Sequence, residues 1–176
     1  PAAEKDGDAK PAAVVKAPEV LASPVSLSEK PRSIYPRDIS DQVAEIIAGV
    51  PIIENPEKCD SNELDIDVIV QDVASSKGMI VADLHNDVEE DFLVWDKVIL
   101  RVRMPATKGT TKFCMPLTQP GDYAVAIYHD KNSNKEFDKN FLGLPKEHFG
   151  MSRDPKFGTK SPKLEEAIFT VPETGK

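Results

Sequence analysis

The sequence is poor in aromatic residues, in long apolar runs and in the short motifs that mark common enzyme classes. Aromatic residues make up 6% of the 176 residues, with one tryptophan, whereas a carbohydrate-binding surface needs a row of exposed aromatic rings. No apolar stretch approaches the roughly 20 residues that a membrane-spanning helix needs. Gly-x-Ser-x-Gly, His-Glu-x-x-His and a phosphate-binding glycine loop are all missing. These absences favour a non-enzymatic protein with no transmembrane segment.

The chain also lacks an excess of basic residues. It has 22 lysines and arginines against 30 acidic residues, a net charge of −8 and a pI of about 4.9. Nucleic-acid phosphates are bound by clustered basic side chains, so this composition argues against a nucleic-acid partner. Anionic membranes are disfavoured for the same reason.

Cysteine is scarce as well, with Cys59 and Cys114 as the only two. The chain begins at Pro1 instead of Met, which is typical of a processed exported protein, with a trimmed chain as the alternative. An exported setting favours a Cys59–Cys114 disulfide, and a pair of buried thiols is the alternative.

The N-terminal part of the chain predicts an extended arm in front of a folded domain. Pro1–Pro31 mixes Pro, Ala, Lys and Glu without periodicity, so it cannot bury enough apolar surface to offset its ordering entropy. We therefore assign residues 1–56 to a Pro/Ala-rich arm and residues 57–176 to a β-sandwich domain.

One short amphipathic helix is predicted inside this arm. Four apolar residues have the i, i+3, i+4, i+7 spacing of a single helix face, namely Val43, Ile46, Ile47 and Val50. Asp38 and Ser40 precede them as capping residues, and Pro51 follows. A helix of about three turns is not stable alone in water, so the stripe must pack on something. Packing on its own domain and packing on a partner protein are both open.

From Glu63 onwards the apolar period changes to two, which predicts short strands separated by turns. The predicted strands cover residues 64–70, 80–84, 98–102, 110–115, 123–129 and 167–171, and the first two are expected to form a hairpin. Short strands without helical patterns between them are typical of an antiparallel β-sandwich. Tyr123 stands where a tyrosine-corner residue would, and a simply buried ring is the alternative.

The long connection after the strand 123–129 carries oxygen side chains at the spacing of a calcium loop. The predicted ligands are the Glu136 carbonyl and the side chains of Asp130, Asn132, Asn134 and Asp138. The twelfth position, where a bidentate glutamate is expected, holds Phe141, and Glu147 is the candidate replacement. Because Asn and Asp also bond their own backbone, a set of Asx-turns without an ion is the alternative.

The same connection contains a candidate acid-base group. His129 could serve as a general base oriented by Asp130, with Glu147 and His148 as further acid-base residues. A zinc site formed by His129, His148 and a carboxylate is a second alternative. No residue in a recognisable frame supplies a nucleophile, and the spacing matches no standard zinc pattern.

The region from about Leu64 to about Val171 resembles a bacterial family known as domain of unknown function 2141. The resemblance rests on Pro120-Gly121-x-Tyr123-Ala124-Val125, His129-Asp130-x-Asn132-x-Asn134, Asp138, Asn140-Phe141-Leu142-Gly143, Pro145-x-Glu147, Gly150-x-Ser152 and Ala167-x-Phe169. It implies an exported, Ig-like or transthyretin-like β-sandwich and implies no established activity. The family usually carries glycine where this chain has Lys135, so a loop conformation with positive φ is costlier here.

The combined prediction is an all-β protein that binds and does not catalyse. We expect an exported, calcium-stabilised binding or structural subunit that docks to a protein partner, such as a larger envelope complex, through its N-terminal arm and loops. The alternatives are a metal-dependent or acid-base enzyme that uses the His129/Asp130 loop, and a carbohydrate-binding module.

Overall fold

The computed structural model describes residues 13–15, 37–56, 58–59, 63–157 and 161–173. The strands are β1 (Ala13–Val15), β2 (Glu45–Ile47), β3 (Val50–Glu54), β4 (Asp65–Val73), β5 (Met79–His85), β6 (Leu100–Pro105), β7 (Gly109–Pro116), β8 (Gly121–Asp130), β9 (Phe149–Ser152) and β10 (Phe169–Val171). One α-helical turn, α1 (Leu164–Ala167), precedes β10, and short 3-10 turns cover Ser40–Gln42, Glu89–Asp91 and Trp95–Lys97. The all-β class predicted from the period-two pattern is confirmed.

Two sheets pack face to face as a sandwich. The larger sheet has the order β1-β9-β8-β5-β6-β3-β2, with β10 paired to one end of β8, and the smaller sheet consists of β4 and β7. Most pairs are antiparallel, but β3–β6 and β1–β9 are parallel, so a purely antiparallel sandwich is wrong. Parallel neighbours need a long crossover, and the chain between β3 and β6 supplies one by passing through β4 and β5.

The predicted hairpin of the first two sandwich strands is also wrong. β4 pairs with β7, whereas β5 lies between β6 and β8 in the other sheet. The apolar faces of the two strands meet across the core instead, where Val68 and Val70 of β4 join Ile80 and Ala82 of β5. Period-two alternation identifies the buried face of a strand but not its neighbour in a sheet.

The predicted amphipathic helix is wrong as well, because its residues form a hairpin. Ala48 and Gly49 both have positive φ, at 49° and 85°, which is the two-residue turn favoured between antiparallel strands. The four predicted helix-face residues are β-branched and fit strands equally well. In the hairpin Val50 is buried, while Ile46 is 69% exposed.

Residues 45–54 belong to the larger sheet. β3 pairs with β6, and Ile53 enters the main core. Of the predicted extended segment Pro1–Pro31, only Ala13–Val15 falls within the described residues, and it pairs in parallel with β9 as β1. The rest of that prediction lies outside the described part of the chain.

The disulfide prediction is confirmed. Cys59 and Cys114 are joined, with Cα atoms 4.9 Å apart and a sequence separation of 55. In the chain-entropy model a loop of this length stabilises the fold by about 4 kcal/mol. The bond fastens the segment before β4 to β7. Within the described residues no helix has the length and apolar character needed to cross a membrane.

Candidate binding loop

Two long loops leave the larger sheet at opposite ends. β5 and β8 run antiparallel, with Met79 opposite Asp130 and His85 opposite Ala124. The loop 131–148 therefore extends from one end of the sandwich, together with the turns 74–78 and 106–108, and we call these segments the lysine end. The loop 86–99 extends from the other end, which we call the acidic end.

Two buried carboxylates hold the root of the loop 131–148. Asp130 ends β8 and accepts hydrogen bonds from the backbone N–H groups of Asn134 (3.1 Å) and Lys135 (2.9 Å). Glu147, also buried, accepts from the N–H groups of Lys131 (3.3 Å) and Asp138 (3.2 Å). Both ends of the loop are thereby tied to its middle.

A close backbone contact supports this root from the neighbouring turn. Gly78 has φ of +76°, and a Cβ at this position would collide with the carbonyl oxygen of Asp130. Only glycine allows the turn before β5 to lie this close to the end of β8.

The predicted side-chain ligands lie together above this root. The side-chain amides of Asn132 and Asn134 donate to the two carboxylate oxygens of Asp138, at 2.8 and 3.0 Å. The oxygens of the same two amides accept N–H bonds from Asn134 and Glu136, which are Asx-turns. Lys135 adopts the positive φ (68°) that its position was expected to require.

The charged form of the Glu147 carboxylate is disfavoured at this position. Burial raises the pKa of Glu147 to about 7, and the charges of Asp130 and Asp138 add to this shift, against the backbone N–H bonds that lower it. Within the described residues, a single group of three His, Cys, Asp or Glu side chains has ligand atoms that lie within 4.8 Å of one another. This group is Cys59, Asp65 and Cys114, and its two sulfurs form the disulfide. The carboxylates of Asp130, Asp138 and Glu147 are therefore neighbours, but their oxygens do not converge on one point.

The far end of the loop is a small hairpin with an apolar tip. Lys139 and Pro145 form an antiparallel bridge, and the Asn140 N–H donates to the Leu144 carbonyl at 2.8 Å. The Asn140 side-chain oxygen accepts from the N–H groups of Leu142 (2.9 Å) and Leu144 (3.0 Å). We call Phe141, Leu142 and Leu144 the tip, and their exposed fractions are 95%, 68% and 57%.

The loop also packs on the outer face of the larger sheet, the face turned away from β4 and β7. The Phe137 ring lies 5.3 Å from that of Tyr128 and 6.0 Å from that of Phe149, measured between centroids. The Lys139 ammonium lies 5.8 Å from the centre of the Phe137 ring. The loop is thus held by packing as well as by hydrogen bonds.

The residues 68–176, more than half of the chain, match the model of a protein family described as an uncharacterized protein conserved in bacteria, domain of unknown function 2141. The chain belongs to this family. Comparisons with curated proteins and with solved structures gave no match. The domain of unknown function 2141 match contains the whole loop 131–148 and leaves β1, β2 and β3 outside.

In this member of the domain of unknown function 2141 family, the candidate acid-base residues do not work as a pair. His129 and Asp130 are consecutive in β8, so their side chains point to opposite faces of the sheet. The His129 ring contacts the Lys77 carbonyl at 2.7 Å on the core side, while the Asp130 carboxylate bonds to the loop backbone. His129 and His148 meet through the backbone, where the His129 N–H donates to the His148 carbonyl at 2.8 Å.

At the acidic end, the loop 86–99 covers a buried ion pair that the sequence analysis missed. Arg101 bonds Asp83 through two contacts of 2.6 and 2.8 Å, and Trp95 lies over its guanidinium at 5.4 Å. Burial alone would lower the pKa of Arg101, but the hydrogen bonds and charge of Asp83 outweigh it and raise that pKa. Trp95 and Phe141, both exposed, stand at opposite ends and form no aromatic row.

The apolar tip was also missed, since Phe141 entered the sequence analysis as the residue at the twelfth loop position and as part of the family motif, not as an exposed contact residue. A signal was present: residues 141–144 are three large apolar residues and a glycine inside a polar loop, with Lys139 before them and Lys146 after.

Proposed function

We propose that the protein is a non-enzymatic, exported binding module that contacts a partner through the loop 131–148. The observation that carries this proposal is the tip, which exposes three large apolar side chains although its backbone is fixed. Asn140 fixes it through two side-chain hydrogen bonds. Contiguous exposed apolar residues on a rigid element are typical of an interaction site.

The sandwich architecture supports the same conclusion. The Tyr123 hydroxyl donates to the Gln119 carbonyl at 2.8 Å, four residues upstream, which is the bond of a tyrosine corner. This bond favours the Ig-like relation over the transthyretin-like one. Ig-like sandwiches present binding loops at their two ends, as the loop 131–148 is presented here.

Export is supported by the disulfide between Cys59 and Cys114. Such bonds persist in oxidising compartments, which include the periplasm and the extracellular space.

A calcium ion at the root is the cofactor that this proposal includes. Asp130 and Asp138 supply carboxylates, Asn132 and Asn134 supply amide oxygens once each amide rotates, and Glu147 stands beside them. A hard divalent cation prefers such oxygen donors, and it would relieve the repulsion among the carboxylates. We expect calcium, and magnesium less, to raise the melting temperature above that in chelator. Asp138→Asn should abolish the difference, and an unchanged midpoint in all three solutions would reject the ion site.

A second contact surface is the outer strand of the larger sheet. β2 ends the strand order in the described part of the chain, and it carries the largely exposed Ile46. A protein partner could add a strand at such an edge and cover Ile46. Of the four residues predicted to bind a partner, Ile46 is the exposed one, since Val50 is buried and Val43 and Ile47 are half-buried.

Photo-crosslinking in the native organism tests both surfaces. A photoreactive phenylalanine analogue is placed at position 141, at position 46, or at position 93 as a control in the loop 86–99. Adducts at position 141, absent at 93, are the expected result, and adducts at 46 would identify the β2 surface. A protein without adducts at 141 or 46 would contradict the binding-module proposal.

A further inference from the structure

The tip has the shape of an inserting element. Phe141, Leu142 and Leu144 are neighbours on a tight turn, and the turn protrudes enough that Phe141 is almost fully exposed. Single exposed apolar residues are normal on protein surfaces, but adjacent large ones on a fixed turn are not.

Most backbone N–H groups of the tip are paired inside the turn. The Asn140 N–H donates to the Leu144 carbonyl, the Gly143 N–H donates to the Asn140 carbonyl, and the N–H groups of Leu142 and Leu144 donate to the Asn140 side-chain oxygen. An unpaired backbone group is costly in the acyl region of a bilayer, where no water or protein can satisfy it. A protein groove would not require this internal pairing, because the partner can supply hydrogen bonds.

The charges around the tip are sorted by sign. The loop exposes Lys131, Lys135, Lys139 and Lys146, with Glu136 as its one exposed acid. The Lys135 ammonium lies 3.5 Å from the Glu45 carboxylate, so its charge is partly neutralised. The other carboxylates of the loop are buried or accept bonds from the loop itself. The turns 74–78 and 106–108 beside it add Lys77 and Lys108 and no acid.

The opposite end of the molecule has the reverse charge. The loop 86–99 contains five acidic residues and one lysine. The net charge of −8 by itself disfavours an anionic membrane, but within the described residues the exposed lysines of the loop 131–148 and the acids of the loop 86–99 lie at opposite ends of the sandwich.

We propose that the tip inserts into the surface of a bilayer that carries anionic phospholipids, with the lysines of the loop 131–148 contacting the headgroups. The proposal rests on the proposed function, in which this loop is the contact element, and it names the partner. Lysine side chains are long enough to keep their ammonium groups at headgroup level while the apolar residues enter the interface.

Vesicle sedimentation with the full chain tests the proposal. The probes are vesicles of phosphatidylcholine alone and of phosphatidylcholine mixed with phosphatidylglycerol, each in chelator and in calcium. We expect partitioning onto the anionic vesicles that weakens with added salt, and little onto the neutral ones. Phe141→Ser should lower the partition coefficient about ten-fold or more, because a fully exposed phenylalanine loses its insertion.

Two further variants separate the apolar and the charged contributions. Leu93→Ser is the control, since Leu93 is an exposed apolar residue of the acidic end (39%) outside both proposed contact surfaces, and it should leave partitioning unchanged. The double variant Lys139→Gln, Lys146→Gln should weaken partitioning onto anionic vesicles about ten-fold or more and onto neutral vesicles hardly at all. These side chains are exposed, so thermal melts should be unchanged.

Insertion has its own spectroscopic readout. The natural tryptophan, Trp95, lies at the acidic end, so its emission should not respond to vesicles. Phe141→Trp should add emission that shifts to the blue and is quenched by bromine-labelled acyl chains.

The proposal is overturned if the wild-type protein does not partition, if Phe141→Ser partitions as the wild type does, or if tryptophan at position 141 shows no blue shift. Protein adducts at position 141 in the crosslinking experiment, combined with no vesicle binding, would leave the binding loop in place and reject the bilayer as its partner.

Discussion

The two long loops of the sandwich use their acidic residues in opposite ways. At the lysine end, Asp130 and Glu147 are buried and accept backbone hydrogen bonds that fold the loop. At the acidic end, Asp87, Glu89 and Glu90 are exposed. The same residue type is therefore structural in one loop and solvating in the other, and a charge count along the sequence does not distinguish the two roles.

The apolar residues of the two loops differ in the same way. Leu93 and Trp95 at the acidic end are 39% and 50% exposed, and Trp95 covers the guanidinium of Arg101. Phe141 at the lysine end covers nothing in the described part of the chain and is 95% exposed. Trp95 therefore packs on its own sheet, whereas Phe141 points outward.

The largest change in stability is expected at the ion pair between Asp83 and Arg101, which the loop 86–99 covers. Asp83→Leu should lower the free energy of unfolding by about 3–5 kcal/mol, because it leaves the buried Arg101 without its partner. Urea denaturation measures this loss, and Asp87→Leu on the exposed loop is the control. Adding Arg101→Met to Asp83→Leu should recover most of the stability. A single variant as stable as the wild type would show that the pair is not desolvated.

The next prediction compares the loss of stability when one acidic residue is removed at each end of the sandwich. Asp130→Ala should cost about 2–3 kcal/mol, because two backbone N–H groups lose a charged acceptor. Glu90→Ala should change stability by less than about 0.5 kcal/mol, as surface substitutions usually do. Chemical denaturation in chelator measures both, so that no bound ion contributes. Equal losses in the two variants would contradict the contrast between the loops.

The pH dependence should differ between the loops through Glu147. The folded-state pKa of Glu147, about 7, lies above the ordinary value of 4.5, so the folded protein holds the proton more tightly than the unfolded chain. Its contribution is fully present below pH 4.5 and is lost as the pH rises through about 7, by up to about 3 kcal/mol before solvent screening reduces it. In chelator, Glu147→Gln should remove this part of the slope, whereas Glu89→Gln should not. Parallel pH profiles of the wild type and Glu147→Gln would contradict the shift.

Much of the sandwich could be predicted from the sequence because its strands are half-buried and alternate. Strands β4 and β8 carry patterns whose buried face is correct in the structure. The neighbours in each sheet could not be predicted, since alternation gives no information about pairing. The sequence analysis predicted a helix in place of the hairpin of β2 and β3, because the four β-branched residues also have the spacing of a helix face. The two positive-φ residues of the turn favour the hairpin over the helix.

The candidate site was predictable in its composition and not in its orientation. The spacing of Asp130, Asn132, Asn134 and Asp138 predicted a set of ion ligands. In the structure the two asparagine amides bond Asp138 and Asp130 bonds the loop backbone, and the calcium ion stays a prediction. Which oxygens face inward depends on backbone N–H groups from the whole loop, and the sequence does not specify these partners. The tip was missed for a related reason: exposure of Phe141 follows from the turn that Asn140 builds, not from the apolar residues themselves.

The smallest effect concerns Lys135, a residue of the loop 131–148 with positive φ. Lys135 has φ of 68°, a conformation that glycine adopts without the steric cost of a Cβ. Lys135→Gly should therefore stabilise the protein by up to about 1 kcal/mol, after the entropy that glycine loses on folding is subtracted. The lost ion pair between the Lys135 ammonium and Glu45, at 3.5 Å on the surface, should hardly matter. The matched control is Lys146→Gly in the same loop, at a position without positive φ, and it should destabilise by about 0.5–1 kcal/mol. Denaturation midpoints in chelator measure both variants. If both glycines destabilise equally, the backbone conformation at Lys135 carries no strain.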